Sequence, residues 1–280
     1  MNPEAGIEIP EAPPTRPPDE SWVRACLTSA PTPAYVLSEP ALKRNLAILR
    51  EIKDRTGCRI LLALKGFAMP AVFPLIRGTL DGVCASSPHE ARLGAEEFSG
   101  EVHAFAPAYS EADFSDILRY AGHIVFNSPA QWERFRERIP AGIECGLRIN
   151  PEYSTGSVPK YDPCSPGSRL GIRRRDLGAR LPEGIRGLHF HTLCEQNADA
   201  LDGTLRAVEE KFGSFLQGLP WLNLGGGHHI TRDDYDRDLL CRLIQGVQAK
   251  YGIGTVYLEP GEAVALGTGV LVTRVLEVIA

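Results

Sequence analysis

The stretch "RILLALKGFAMP", residues 59–70, has the pattern of a buried strand that ends at a charged loop. Ile60 to Leu64 is an unbroken apolar run, and Lys65 and Gly66 follow it at once. An ammonium group is costly to bury at the mouth of such a strand. Lys65 is therefore exposed where the strand gives way to a loop, paired with an acid, or deprotonated, and the rest of the chain decides between these.

Short β-rich runs alternate with segments of helical length on both sides of this stretch, as in Ser87–Glu97 and Ala198–Gln217. The strand-like runs are 60–64, 82–85, 102–105, 123–126, 143–149, 185–191, 222–224 and 256–258. Eight β/α units in about 200 residues predict an α/β fold, a TIM (β/α)8 barrel of parallel strands. An open doubly wound sheet is the alternative, and the absence of a G-x-G-x-x-G motif after an early strand argues against it.

The regions outside the barrel predict a second, β-rich part. Residues 1–30 read as a proline-rich arm, extended or disordered, and residues 31–38, with the strand-like "AYVL", are predicted to contribute a strand to the β domain. The barrel is predicted to occupy residues 39–266. Residues 267–280 are β-rich, and we expect them to stop without a partner strand, as the start of a C-terminal β domain that this chain does not complete.

Composition favours a small-molecule partner. The net charge of -5 over 280 residues gives no basic field for nucleic acid or an acidic membrane surface, and no apolar run approaches the length of a membrane span. The start of the chain lacks the pattern of a signal peptide. Seven scattered cysteines without a C-x-x-C pair argue against a disulfide framework or a structural zinc site and for a reducing cytoplasm.

Charged residues, a histidine and a run of glycines stand at the carboxyl ends of the predicted strands, where the loops of a TIM barrel converge on one face. They are Lys65, Arg148, His191, Gly225, Gly226, Gly227 and Glu259. Each alone has an ordinary structural explanation: an exposed lysine, an ion-paired arginine, a packed histidine, a flexible turn or a solvated acid. Their common position predicts a site.

The glycines and histidines indicate what this site binds. Gly225 to Gly227 can bring backbone N–H groups close to an anion, and loops after strands 7 and 8 hold phosphate in many TIM barrels. His189 and His191 point to one face of a strand, but a lone pair of histidines is more often packed or hydrogen-bonded than metal-binding, so no metal is predicted. A lysine, a phosphate cradle, an acid and a flat imidazole are the groups that pyridoxal phosphate requires.

Four motifs resemble one family of enzymes. They are "ALKGF" (63–67), "KYDPCSPGSRLGI" (160–172), "GLHFHTLCE" (187–195) and "LEPGEA" (258–263). Together they resemble the alanine-racemase-like, fold-type III pyridoxal-phosphate enzymes, and among these the carboxynorspermidine (carboxyspermidine) decarboxylases. The resemblance implies a barrel joined to a β domain, a cytoplasmic homodimer, and decarboxylation of a carboxylated polyamine to norspermidine or spermidine in polyamine biosynthesis.

The resemblance also implies roles for individual residues. Lys65 would be the Schiff-base lysine, His191 the histidine that stacks on the cofactor ring, and Glu259 the partner of the pyridine nitrogen. Gly225 to Gly227 would bind the phosphate, and Arg148 would lie near the cofactor. An acid at the ring nitrogen is typical of the decarboxylases, whereas alanine racemases place arginine there.

The chain departs from the ornithine-type pattern of this family in three places. Val83 or Cys84 stands where those enzymes carry an aspartate, and Cys84 is the candidate substrate residue. Glu262 replaces an arginine that binds phosphate, and its carboxylate would either be solvated or face the amine arm of a polyamine. The C-terminal β domain supplies a cysteine, an aspartate and a tyrosine to the site in those relatives, and that region is absent here.

Two alternative functions follow from these departures. One is decarboxylation of diaminopimelate or another basic amino acid. The other is a non-catalytic remnant that binds pyridoxal phosphate.

Overall fold

The computed structural model describes residues 18–156 and 158–279. Its main body is a closed barrel of eight parallel strands in which each strand pairs with its two neighbours, and pairing of Tyr257 with Arg59 closes the ring. The barrel strands are β2 (Arg59–Ala63), β3 (Gly82–Ala85), β4 (Glu101–Phe105), β5 (His123–Phe126), β6 (Glu144–Asn150), β8 (Ile185–His189), β9 (Trp221–Asn223) and β10 (Thr255–Leu258). The predicted TIM barrel is confirmed, and the open sheet is excluded because no barrel strand is an edge.

Helices connect the strands and cover the outside of the barrel. They are α2 (Glu39–Thr56), α3 (Phe73–Ile76), α4 (Pro88–Leu93), α5 (Glu111–Ile117), α6 (Pro129–Phe135), α7 (Ala198–Leu216), α8 (Arg237–Tyr251) and α9 (Glu262–Ala265). Sequence signals explain the ends of α2: Ser38 accepts the Ala41 N–H at its start, and Gly57 ends it at a φ of 69°. Among the described helices, none has the length and apolar character needed to cross a membrane.

A two-stranded antiparallel sheet lies outside the barrel. It pairs β1 (Ala34–Leu37) with β11 (Gly269–Val272). The expectation that residues 267–280 stop without a partner is therefore wrong for β11. Within the predicted proline-rich arm, α1 (Glu20–Ser29) is helical, while residues 1–17 lie outside the described residues. One further short strand, β7 (Ile172–Arg173), extends the pairing of β6 and was not predicted.

Large side chains fill the interior of the barrel. Leu61, Val125, Trp221 and Tyr257 form a buried cluster inside the ring of strands. The Trp221 ring fits because two neighbouring strands carry glycine: a Cβ on Gly146 or Gly187 would lie 2.2 or 2.0 Å from its atoms. This packed layer fills the inside of the ring of strands, so the barrel is not a pore, and the loops at the carboxyl ends are where a barrel of this kind builds its site.

Candidate active site

A cleft of about 340 Å³ opens at the carboxyl ends of the barrel strands. Six of the predicted site residues line it: Lys65, Arg148, His191, Gly227, Glu259 and Glu262. Gly225, Gly226 and Cys84 lie outside its lining, and each has an internal contact instead. The carboxyl ends of five strands, β2, β6, β8, β9 and β10, thus bring together residues that are up to about 200 positions apart in the chain.

Lys65 lies in the turn that follows β2, because the strand ends at Ala63 rather than at the lysine itself. The side chain is exposed at the mouth of the cleft, so its ammonium is not buried by the strand. Gly66 is explained by close packing, since a Cβ there would lie 3.0 Å from the Cα of Gly261. Lys65 and Gly66 therefore follow the strand for different reasons. The lysine places its amine in the cleft, and the glycine lets the backbone pack closely against Gly261.

Glu259 supplies a buried carboxylate to the inner part of the cleft, with 7% of its surface exposed. The Asn223 amide donates to its Oε1 at 2.7 Å, and His189 Nε2 lies 3.4 Å from its Oε2. Burial by itself would raise the pKa of Glu259, but the neighbouring His189 and His191 and the Asn223 hydrogen bond lower it below its usual range. Glu259 is therefore ionised at neutral pH.

His191 and Arg148 lie beside this carboxylate and are positioned by backbone groups. His191 Nδ1 accepts the N–H of Gly226 at 3.2 Å, which places the ring proton on Nε2. Burial, together with the charges of Lys65 and Arg148, holds the pKa of His191 well below its usual range, so the imidazole is neutral. Arg148 donates to the His191 carbonyl at 3.0 Å and lies 4.7 Å from the centre of the Phe105 ring.

Arg148 is 6% exposed, and burial lowers its pKa to about 10, which still leaves it charged at neutral pH. In the described part of the chain, no carboxylate lies within ion-pair distance of its guanidinium. A buried guanidinium with one carbonyl acceptor retains N–H donors for a ligand in the cleft.

The glycine loop after β9 requires glycine at all three positions. Gly225 and Gly227 have φ angles of +73° and +81°, and a Cβ on any of the three would lie within 2.3 Å of a backbone carbonyl oxygen. The Gly225 N–H donates to Asn223 Oδ1 at 2.8 Å, and the Gly226 N–H donates to His191. Of the three amides, only that of Gly227 faces the cleft without a partner among the described residues.

The two candidates on β3 point in opposite directions. Val83 packs outward, where its Cγ2 would lie 2.3 Å from a Cβ on Gly94. Cys84 points into the barrel beside Glu259, and burial, then the Glu259 charge, raise the pKa of its thiol. Cys84 therefore lies beneath the cleft rather than in its lining.

Several residues of the site were missed by sequence reasoning. They are Asn223, His228, His229, Cys194 and Glu195. Asn223 gave a usable signal: an amide inside the apolar run "WLNL" is unusual on a buried strand, and the two-residue period places it in the barrel interior. The others lie in loops, where no period indicates direction.

The donor groups of the cleft fit pyridoxal phosphate. An exposed amine, a neutral imidazole and an ionised carboxylate line one cavity, and among the described residues the ion-pair partner of Glu259 Oε2 is His189, at 3.4 Å. His189, His191 and Glu259 also place three ligand atoms within 4.8 Å of one another, an arrangement that metals use. The adjacent lysine and the Gly226 hydrogen bond to His191 favour an organic cofactor over a metal.

Comparison with known proteins identifies the relatives of this chain. It is 44% identical over 254 residues to carboxyaminopropylagmatine decarboxylase of Synechocystis and 42% identical over 248 residues to carboxynorspermidine/carboxyspermidine decarboxylase of Campylobacter jejuni. These alignments span 90% and 89% of this chain, but 66% and 64% of the two relatives. The Herminiimonas arsenicoxydans carboxynorspermidine/carboxyspermidine decarboxylase is 35% identical, over 88% of this chain and 67% of its own length.

Solved structures of decarboxylases are also similar to this chain. The carboxynorspermidine decarboxylase of C. jejuni in complex with norspermidine superposes with a TM-score of 0.79 at 41% identity, over 86% of this chain and 62% of that one. Diaminopimelate decarboxylase of Helicobacter pylori shares the fold at a TM-score of 0.69 and 15% identity, over 88% of this chain and 68% of that one. No protein-family model matches the chain.

The chain thus spans just under two thirds of the length of the two most similar of these relatives and 67% of the third. It belongs to the carboxynorspermidine/carboxyspermidine decarboxylase family of fold-type III enzymes.

Proposed function

We propose that this protein is a pyridoxal-phosphate-dependent carboxy-lyase that decarboxylates carboxynorspermidine or carboxyspermidine, producing norspermidine or spermidine for polyamine biosynthesis. The observation that carries the proposal is that Lys65, His191 and Glu259 line one cleft at the carboxyl ends of the barrel. The relatives named above support the choice of substrate, and the structure in complex with norspermidine supports a polyamine product.

Four groups of this chain would hold the cofactor. The Lys65 amine would bind it covalently, the His191 imidazole would lie against its ring, and the Glu259 carboxylate would accept a hydrogen bond from its ring nitrogen. The free Gly227 amide would contact the phosphate, and Arg148 offers further donors nearby. Gly225 and Gly226 would contribute by shaping the loop, since their amides already have acceptors.

Bound pyridoxal phosphate supplies an electron sink for the pair left when the substrate carboxylate departs as CO2. Glu259 strengthens that sink, because an ionised carboxylate with a low pKa favours a proton on the facing ring nitrogen. Asn223 and His189 hold this carboxylate in place. Lys65, exposed at the mouth, is the group of the cleft able to move a proton at the reacting carbon once its amine is free.

The test of the proposal measures CO2 release by the protein loaded with pyridoxal phosphate. Carboxynorspermidine and carboxyspermidine should be turned over with a kcat/KM at least about tenfold above that for diaminopimelate or lysine. Carboxyaminopropylagmatine belongs in the same assay, because the relative at 44% identity is named for it. A preference for diaminopimelate would move the substrate to basic amino acids, and cofactor binding without CO2 release from any of them would indicate a non-catalytic binding protein.

We also propose that the protein acts as a homodimer in the cytoplasm, as its family resemblance implies. All seven cysteines are free thiols, which suits a reducing compartment. Residues 31–38 and 267–280 are proposed to belong to a β domain separate from the barrel, a division supported by the β1–β11 sheet. Light scattering on the purified protein would give the mass of the assembly, and a monomer would contradict the dimer.

A further inference from the structure

Two carboxylates line the more exposed part of the cleft. The Glu262 side chain is 55% exposed, and Glu195 is exposed as well, whereas the Glu259 side chain deeper in the cleft is 8% exposed. Within residues 18–156 and 158–279, Glu195 has no ion-pair partner and Glu262 has only His229. The carboxylates at the entrance are therefore available to a cation from solvent.

His229 is a buried imidazole directed at this entrance. It is 2% exposed, lines the cleft, and its Nε2 lies 3.4 Å from Glu262 Oε2. Neither ring nitrogen makes a hydrogen bond with good geometry to another described residue. A buried polar group left without partners is costly, so its place at the cleft needs a reason. Orienting the Glu262 carboxylate toward a ligand is such a reason.

The charges of the entrance act on one small region. Cys194 also lines the cleft: burial raises the pKa of its thiol, the charges of Glu195 and Glu262 raise it further, and the charge of Lys65 lowers it. Only two cationic side chains line the cleft in the described structure, Lys65 and Arg148. Arg148 is buried beside Glu259, and Lys65 is assigned to the cofactor. Once the cofactor is bound, the entrance is therefore negative.

We propose that Glu195 and Glu262, with Glu262 oriented by His229, form a subsite for a protonated amine that the substrate carries beyond its carboxylated end. The proposal deepens the proposed function, on which it rests for the identity of the substrate. A carboxylated polyamine presents ammonium groups there. Diaminopimelate presents a second carboxylate at its far end, which the two glutamates would repel, so the same subsite selects between the two substrates.

The test exchanges each carboxylate for its neutral isostere. Glu262→Gln and Glu195→Gln should raise the KM for the carboxylated polyamine about tenfold, with kcat changed less than about threefold, because the lost contact is remote from the reacting carbon. Glu137→Gln is the matched control, since Glu137 is exposed away from the cleft. An unchanged KM in both cleft variants would overturn the proposal.

His229 is tested as a positioning residue by two amides of different length. His229→Gln retains a donor near the position of Nε2, whereas His229→Asn does not. We expect the KM of the Asn variant to rise about fivefold and that of the Gln variant to stay near the wild-type value. A merely structural role would instead lower the thermal stability of both variants without separating their KM values.

Binding measured without turnover separates this proposal from the proposed function. Calorimetry with norspermidine as the probe, on the cofactor-loaded chain, should show affinity that Glu262→Gln weakens about tenfold and added salt weakens further. If wild type binds the triamine in this way but releases no CO2, the subsite stands and the decarboxylase assignment fails. Equal affinity of wild type and Glu262→Gln would sink the subsite whatever the turnover.

Discussion

The two ends of the barrel carry the same set of side chains, two histidines and one glutamate. At the carboxyl end these are His189, His191 and Glu259, and at the amino end Glu101, His103 and His123. Both sets place their ligand atoms within 4.8 Å. In the first set, His191 and Glu259 line the cleft that has Lys65 at its mouth, whereas no residue of the second set lines it.

The difference lies in how far each glutamate is already satisfied. Glu101 pairs with Arg59 and accepts from His103 Nε2 and the Tyr257 hydroxyl, both at 3.0 Å. His123 stacks on His103 with ring centres 3.9 Å apart. This network completes the packing around Tyr257 and leaves little free acceptor capacity. Similar residue types thus stabilise the fold at one end and remain available to a ligand at the other.

The largest expected effect is at Lys65, which has no counterpart in the amino-end cluster. Lys65→Ala should abolish covalent attachment of pyridoxal phosphate and lower turnover at least about a thousandfold, because among the described residues that line the cleft Lys65 alone carries an amine. Borohydride reduction followed by mass spectrometry measures the attachment. Lys43→Ala, on the exposed face of α2, is the control and should be labelled like wild type. Labelling that persists in Lys65→Ala would refute the assignment.

The next effect compares the two glutamates directly. Glu259→Gln should lower kcat about a hundredfold, or about 3 kcal/mol of barrier, while the cofactor content stays near that of wild type. The amide keeps the shape but loses the charge that favours a proton on the ring nitrogen. Glu101→Gln should leave kcat within about twofold. Equal kcat values for the two variants would remove the functional distinction between the ends.

The amino-end histidines should make the fold sensitive to acid. In the folded protein, burial lowers the pKa of His103 to about 4 and that of His123 to about 3. A histidine of the unfolded chain has a pKa near 6.5, so below that pH the unfolded chain binds protons more readily than the folded protein does. The stability from neutral His103 is present above pH 6.5 and is lost as the pH falls toward 4, by about 2 kcal/mol between pH 7 and pH 5.

Urea unfolding at several pH values measures this dependence. In His103→Gln the loss of stability between pH 7 and pH 5 should be smaller than in wild type, because one of the titrating groups is gone. Glu101, His123 and Tyr257 face this ring and remain in the variant. Parallel curves for the two proteins would show that His103 is not a source of the acid sensitivity.

The smallest effect expected is the stability cost of Glu101→Gln. The variant loses the charge that pairs with Arg59 but keeps an acceptor for His103 or Tyr257. Since the carboxylate is partly exposed, we expect a loss of about 1 kcal/mol in the free energy of unfolding. Chemical denaturation at pH 7 measures it, and a loss as large as that from a core cavity would mean the network contributes far more than its contacts suggest.

Most of the fold could be predicted from the sequence. The eight strand-like runs match the eight barrel strands to within about two residues at most ends, because each is apolar and bounded by polar loops. The short β7 was missed, since two residues carry no period. Partnership of β11 with β1 was missed because that pairing joins segments more than 230 residues apart, a contact that local pattern does not indicate.

The site could be predicted only in part. That Lys65, His191 and Glu259 line one cleft could be predicted because parallel strands place their carboxyl ends on one face. The position of Cys84 beneath the cleft was not foreseen, and neither was the use of the Gly225 and Gly226 amides inside the protein. These contacts depend on how closely segments of the folded chain approach one another: the Gly225 and Gly226 amides form hydrogen bonds of 2.8 and 3.2 Å, which the local sequence pattern does not indicate.

The sequence by itself determined the strand order, the chemistry present at the strand ends and the glycines that the loop after β9 requires. It did so because apolar period, turn chemistry and residue type act locally along the chain. Only the tertiary structure decided which glutamate and histidines are held by hydrogen bonds and ion pairs within the fold and which line the cleft, where a ligand can reach them. Glu101 and Glu259 are the same residue type near strand ends, and the difference arises from Arg59, Tyr257 and Asn223, partners that distant strands supply when the barrel closes.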